Sequence, residues 1–360
     1  MNLSDSQKKT AMDSKKRVLA AFSPDQTPDR VPWVEQQVNS KVISKILGRE
    51  VTDPIEQGGT DYRAIYEYHL RAAGVYVELG LDGIACPAWT PSIADPVVVD
   101  NKVLERESQP GILDWDSFHK RTKELPRPGV MPFTQQIKPW SDAMSKNKMF
   151  HILAVGMQYR MLEVSVGFEN IAIWSVEQPE LLHACAKFFC DWTCEAIKII
   201  LDQNPLDAVW LDDDLAFKTN TFISPAMLRE FVFPYHRQIV KTVGSYGLPT
   251  MFHSDGNLAR ILDDLIESGF VAIHPLERLA FDIRSARKEL GDRITLIGNV
   301  DIDFLERGEP ERCYQEASSL IRELGPKRFI LSSGNSITAN VRAENLKQMS
   351  RAVLEQKIRE

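Results

Sequence analysis

Residues 179–214 read PELLHACAKFFCDWTCEAIKIILDQNPLDAVWLDDD. From Pro179 onward the apolar side chains recur at spacings of three and four behind a proline start, the pattern of an amphipathic helix. After the Asn204-Pro205 break, the run Ala208, Val209, Trp210 and Leu211 is too short for a helix and is rich in strand formers. It ends abruptly in Asp212, Asp213 and Asp214. The same unit recurs along the chain. Apolar runs at 31–35, 83–86, 150–155, 208–211, 250–252, 271–273, 294–297 and 329–331 predict eight strands. Helical patterns lie between most of them, such as SPAMLREFVFPYHRQIVKTVGSYG at 224–247. Alternating strands and helices argue for a parallel sheet. Eight such units suit a closed barrel better than an open doubly wound sheet, whose GxGxxG turn after the first strand is absent. The expected fold is α/β, a (β/α)8 TIM barrel over residues 1–360 as a single domain. It carries an N-terminal helical lead at 1–30 and an insertion after strand two at 88–148, either a lid or a surface excursion.

Composition narrows the function classes. The chain has 360 residues, 43% of them hydrophobic, and a formal net charge of −7. It carries no basic footprint for nucleic acid. No apolar run approaches the roughly 18 residues of a membrane span, and the polar N-terminus lacks the apolar core of a signal peptide, so the expected location is cytoplasmic. Cys86, Cys185, Cys190, Cys194 and Cys313 form no CxxC pair and read as buried thiols.

In a barrel the C-terminal strand ends converge on one face, where chemistry sits. The predicted ends carry Glu35, Gln36 and Gln37; Trp89; Met157; Asp212, Asp213 and Asp214; His253 and Asp255; His274 and Glu277; Asp301; and Asn335. Bland readings are available for several. Of the three adjacent acids, two can be solvated and one a helix cap; Asp255 and Asp301 can cap helices; His274 can be a satisfied buried imidazole. His253, Asp255 and Glu277 are harder to explain that way. His253 and Asp255 are two apart, so in extended chain they share a side. With Glu277 from the next strand they form a histidine and two carboxylates, a ligand set that suits Zn2+ with an open fourth position. Asp212, Asp213 and Asp214 are the acids that can displace Glu277 from this set, and Asp213 is also a candidate for proton transfer. A metal-free alternative keeps His253 as general acid or base with Asp255 or Glu277 fixing its tautomer. Trp33, Trp89, Met157 and Phe252 can sandwich an aromatic ring, and Gln36, Gln37, Arg160 and Asn335 can meet its polar groups.

The segments KKRVLAAFSPDQTPDRVPW, HSDGNL, ITLIGNVD and SSGNSITANVRAEN, in that order, resemble the uroporphyrinogen decarboxylase superfamily. The resemblance runs from about Lys16 to Leu354 and implies a (β/α)8 barrel. Decarboxylases of this type carry two arginines after strand one in an RQAGR element, where this chain has Gln36, Gln37, Val38, Asn39 and Ser40. Their catalytic aspartate corresponds to a position near Trp89, and their strand-eight histidine to about Asn335. The corrinoid-dependent methyltransferase branch holds zinc through an HxCG element and a later cysteine. Here His253 matches the histidine, Asp255 stands where the first cysteine would be, and Ser333 lies near the second. Replacing thiolate by carboxylate hardens the site and suits an oxygen-bound methyl group better than a thiol. The resemblance therefore implies a zinc-dependent O-demethylase component. It would take the methyl of a methoxylated aromatic, or another methyl donor, and pass it to a cobalt(I) corrinoid on a partner protein. No corrinoid-binding DxHxxG element is present in this chain. A homodimer is the assembly considered. The rivals are a divergent decarboxylase-like lyase and a non-catalytic binding barrel.

Overall fold

The computed structural model describes residues 12–89, 91–99, 102–156 and 158–357; for side chains, Trp89, 97–99 and 102–108 also lie outside the described set. The strands in chain order are β1 (Val34–Glu35), β2 (Gly83–Trp89), β3 (Ala94–Val99), β4 (Lys102–Pro110), β5 (Phe150–Gly156), β6 (Ala208–Asp212), β7 (Thr250–Ser254), β8 (Ala272–Pro275), β9 (Thr295–Val300) and β10 (Phe329–Ser333). Eight of them form one sheet in the order β1-β2-β5-β6-β7-β8-β9-β10, and every neighbouring pair is parallel. The sheet closes on itself: Leu331 N donates to Pro32 O at 2.9 Å, and Trp33 bridges Leu331 in parallel. This is the (β/α)8 barrel expected from the alternation.

Side-chain alternation decides what the barrel holds. Val34, Ala85, Ile152, Trp210, Met251 and Ile330 belong to one buried cluster that fills the interior. Their strand neighbours Ile84, Leu153, Leu211, Phe252 and Leu331 pack outward in the larger cluster shared with the helices. The N-terminal helix Ser14–Phe22 joins the interior cluster through Val18, Ala21 and Phe22 and seals that end of the barrel. It is tied down by Arg17, which reaches Asp29 and Asp82 at 2.6 Å each, with Arg30 also on Asp82 at 2.9 Å. With its N-terminal mouth plugged, the barrel keeps its C-terminal mouth for chemistry.

The structure departs from the sequence expectation in two places. The segment between β2 and β5 adds to its helices Trp115–Glu124 and Phe133–Lys146 an antiparallel hairpin, β3 with β4, bulged between Pro96 and Val98, in place of loop. The single helix expected at 224–247 is two, Pro225–Phe231 and Phe233–Gly244, because Pro234 has no N–H to continue the first ladder. All five cysteines are buried and unpaired thiols. No helix of the described residues is long and apolar enough to cross a membrane.

Candidate metal centre at the C-terminal mouth

Two of the strand ends converge through their inward-facing positions. On β6, Trp210 points into the barrel, so two residues on Asp212 does too, and Asp214 follows on the same side beyond the strand. On β7, Met251 is inward, and His253 with it. Asp212, Asp214 and His253 are, among the described residues, the one group of potential metal ligands whose donor atoms all lie within 4.8 Å of one another. His253 Nε2 is 3.8 Å from Asp212 Oδ1, 3.9 Å from Asp214 Oδ1 and 4.0 Å from Asp255 Oδ1. Asp255 is oriented by Asn335 Nδ2 at 2.8 Å on its Oδ2, while its buried Oδ1 has no hydrogen-bond partner among the described residues. Gln36 Nε2 donates to Asp212 Oδ2 at 2.5 Å. The chain can pass so close because Gly256, at φ +86, follows Asp255: a Cβ there would sit 2.5 Å from the Ala216 carbonyl carbon.

A hydrogen-bond chain fixes the tautomer of His253. The Ser333 carbonyl can only accept, so His274 Nε2, 3.1 Å away, is the donor. His274 is fully buried, and burial holds its pKa well below the ordinary histidine value, so it is neutral and its Nδ1 is the acceptor. That Nδ1 lies 2.7 Å from His253 Nδ1, which must therefore carry the proton. In neutral His253 the Nε2 lone pair then points toward three carboxylates. Burial raises the Asp212 pKa to about 6; His253 opposes that rise, and Asp214, Asp213 and Asp255 add to it. Asp255 is also raised, by burial first. An imidazole lone pair, charge-strained carboxylates and an orphaned carboxylate oxygen facing one another are a donor set that a divalent cation fits. The set is hard, oxygen-rich and without thiolate.

The cavity beside these residues measures about 230 Å³ and is lined by Gln36, Gln37, Pro87, Asp212, Asp214, His253, Asp255, Asn335 and Ser336, with Ala154 at its floor. No lysine or arginine is among these lining residues.

The structure brings together most of the residues picked out in the sequence and reassigns the others. Asp213 is a correction: it faces outward, accepts from the Tyr159 and Arg160 N–H groups at the start of helix Gln158–Val166, and pairs with buried His236 at 2.8 Å. Its carboxylate is spent on structure and does not reach the cavity. Glu277 is a second correction. Leu276 at φ 55 turns the chain away, and Glu277 accepts from Gly256 N at 3.1 Å, outside the triad. Phe252 and Trp33 are a third. Both face outward into the helix layer, Phe252 against Phe270 and His236, and Trp33 with its Nε1 on Glu35 at 2.6 Å. Arg160 pairs with Glu163 on the surface. Asp301 caps helix Ile302–Arg307, as expected. Met157 lies outside the described residues, and Trp89 ends β2 with its side chain outside them. His274 is the satisfied buried imidazole that the sequence allowed, and the structure adds its role in orienting His253. It sits opposite His253 in the β7–β8 register, which is the signal that paired inward positions on adjacent strands would have provided.

A family model for uroporphyrinogen decarboxylase (URO-D) matches residues 157–356. The chain belongs to the URO-D family. Among curated relatives it is similar to the methylated-thiol--coenzyme M methyltransferase of Methanosarcina mazei, 26% identical over 193 residues, 52% of this chain and 48% of that protein. It is also similar to the uroporphyrinogen decarboxylase of Chlorobaculum parvum, 30% identical over 198 residues, 53% of this chain and 54% of that protein. The aligned stretch thus spans about half the length of these relatives. Among solved structures, a methyltransferase from Methanosarcina mazei superposes with a TM-score of 0.73 at 18% identity, over 96% of this chain and 99% of that one. That likeness is one of fold. URO-D family membership thus leaves two chemistries in view, and the mouth of the barrel has to choose between them.

Proposed function

We propose that this URO-D family member is a methyltransferase that takes an oxygen-bound methyl group, with a methoxylated aromatic as donor, and delivers it to a reduced corrinoid on a partner protein. The observation that carries the reading is the donor set at the C-terminal mouth: His253 Nε2 facing Asp212, Asp214 and Asp255. Asp212, Asp214 and His253 would hold a zinc-class cation, with Asp255 beside them. When bound, that cation would polarise the methyl-bearing oxygen and stabilise the phenolate that departs.

The remaining roles belong to the chain's own side chains. His274 holds His253 in the tautomer whose Nε2 is free to bind. Gln36 and Asn335 hold Asp212 and Asp255 in place from opposite sides of the barrel seam. Preset orientation of this kind keeps the donors from reorganising when charge develops.

The decarboxylase reading fares worse. A tetrapyrrole with several carboxylates needs cationic anchors, and none line this cavity. The test is a single-turnover assay with the purified protein, a methoxylated aromatic and a reduced corrinoid protein. The expected result is phenol release that requires both the corrinoid and His253, and is lost in His253→Ala. Porphyrinogen decarboxylation, or phenol release unaffected by His253→Ala, overturns the proposal.

A further inference from the structure

Next to the acidic centre lies a second, larger cavity of about 350 Å³. It opens between the outer face of β2 and the helices Tyr62–Leu79 and Phe133–Lys146. Gln37 and Pro87 line both cavities, so the two meet at the barrel rim. The walls of the larger one are apolar and aromatic, including Tyr76, Ile84, Cys86, Phe133 and Trp140. Three polar side chains on its wall are already engaged. Glu56 accepts from Ser40 N and Oγ, Asp53 accepts from Ile55 N, and Gln136 donates to Gly59 O. His69 is different. It is 6% exposed, and neither ring nitrogen has a hydrogen-bond partner among the described residues. Its Nε2 lies 3.3 Å from Asp53 Oδ1 without the alignment of a hydrogen bond.

A buried imidazole with Nδ1 unpartnered and Nε2 in only a misaligned contact with a carboxylate leaves hydrogen-bonding capacity that a ligand can satisfy. An apolar cavity of about 150 Å³ already holds benzene, so one of about 350 Å³ has room for a single substituted ring. We propose that this cavity seats the body of the substrate, one aromatic ring whose polar substituent hydrogen-bonds to His69. The ring's reacting end passes Gln37 and Pro87 toward Asp212, Asp214 and His253. The claim rests on the methyl-transfer reading for what happens at that end, but the seat itself is a matter of binding.

The test is calorimetric binding of 4-methoxyphenol and of methoxybenzene to the full chain. Wild type is expected to bind both, the phenol more tightly. Cys86→Phe, which fills the cavity from β2, is expected to weaken both at least tenfold while leaving zinc titration at the acidic centre unchanged. His69→Leu keeps the cavity open, so it is expected to weaken 4-methoxyphenol at least fivefold and to leave methoxybenzene unchanged. If Cys86→Phe does not fold, the His69→Leu comparison decides alone. Absence of binding by wild type, equal binding by Cys86→Phe, or equal loss of both ligands in His69→Leu overturns the seat. Failures of the two claims are distinguishable. Binding that follows this pattern without corrinoid-dependent phenol release removes the methyl-transfer reading and keeps the seat. Phenol release undiminished in Cys86→Phe keeps the reaction and removes the seat.

Discussion

Replacing Asp212 by asparagine is expected to make the cation-free protein more stable. The buried Asp212 carboxyl, only 8% exposed, is raised from 3.8 to about 6, chiefly by burial, with Asp214, Asp213 and Asp255 adding repulsion against the attraction of His253. A folded pKa above the unfolded one means that the native state binds the proton more tightly. The resulting stability is fully present below pH 3.8 and is lost as pH rises to about 6. At about 1.4 kcal/mol per unit, a shift of about two units leaves the chain about 3 kcal/mol less stable at pH 7.5 than one with an unperturbed group. Asparagine removes that penalty but weakens the bond from Gln36, a cost of about 1 kcal/mol. The expected net gain is therefore about 2 kcal/mol. Urea unfolding of wild type and Asp212→Asn in chelator, from pH 4 to pH 8, reads it directly: the gap opens between about pH 3.8 and 6 and is flat above. Adding zinc is expected to reverse the order, since only wild type gains the stabilisation of a tightly bound ligand, about 2.7 kcal/mol at a hundredfold excess over Kd. An Asp212→Asn variant less stable than wild type at pH 7.5 in chelator would show that the carboxylate cluster is not under charge strain, and the argument for a cation would fall with it.

Two other substitutions separate structure from chemistry. His274→Phe removes the acceptor that holds His253 Nδ1–H, and zinc affinity measured by competition with a chelating dye is expected to fall about 10- to 100-fold. Asp213→Ala strands His236 and uncaps helix Gln158–Val166, and urea unfolding is expected to record a loss of about 3–5 kcal/mol.

The barrel was legible because each strand is an apolar run bracketed by helical periodicity. The strand ends were not. The backbone ladder runs on through Asp212, through His253 and Ser254, and through His274 and Pro275, so an apolar-run reading stops short of the residues that matter most. The bulged hairpin β3–β4 was hidden by its proline and charged content. Within the site, alternation was the usable signal. It puts Asp212 and Asp214 inward and Asp213 outward; of the reading of two solvated acids and one helix cap, Asp213 fits the cap while Asp212 is buried rather than solvated. Glu277 is the acid at the end of the strand next to His253, and only the turn at Leu276 shows it leaving. His274 itself needed the strand register, which no single sequence states. The aromatic residues failed for the same reason in reverse: Trp33 and Phe252 occupy outward positions of their strands.

The central claim is that a zinc-class divalent cation binds between His253, Asp212 and Asp214. Anomalous diffraction at the zinc edge from a crystal grown with zinc tests it most directly. The account predicts one strong peak within coordination distance of His253 Nε2 and of both Asp212 and Asp214 carboxylates, and none at Glu277. A peak at Glu277, or zinc elsewhere with these three residues unligated, contradicts it.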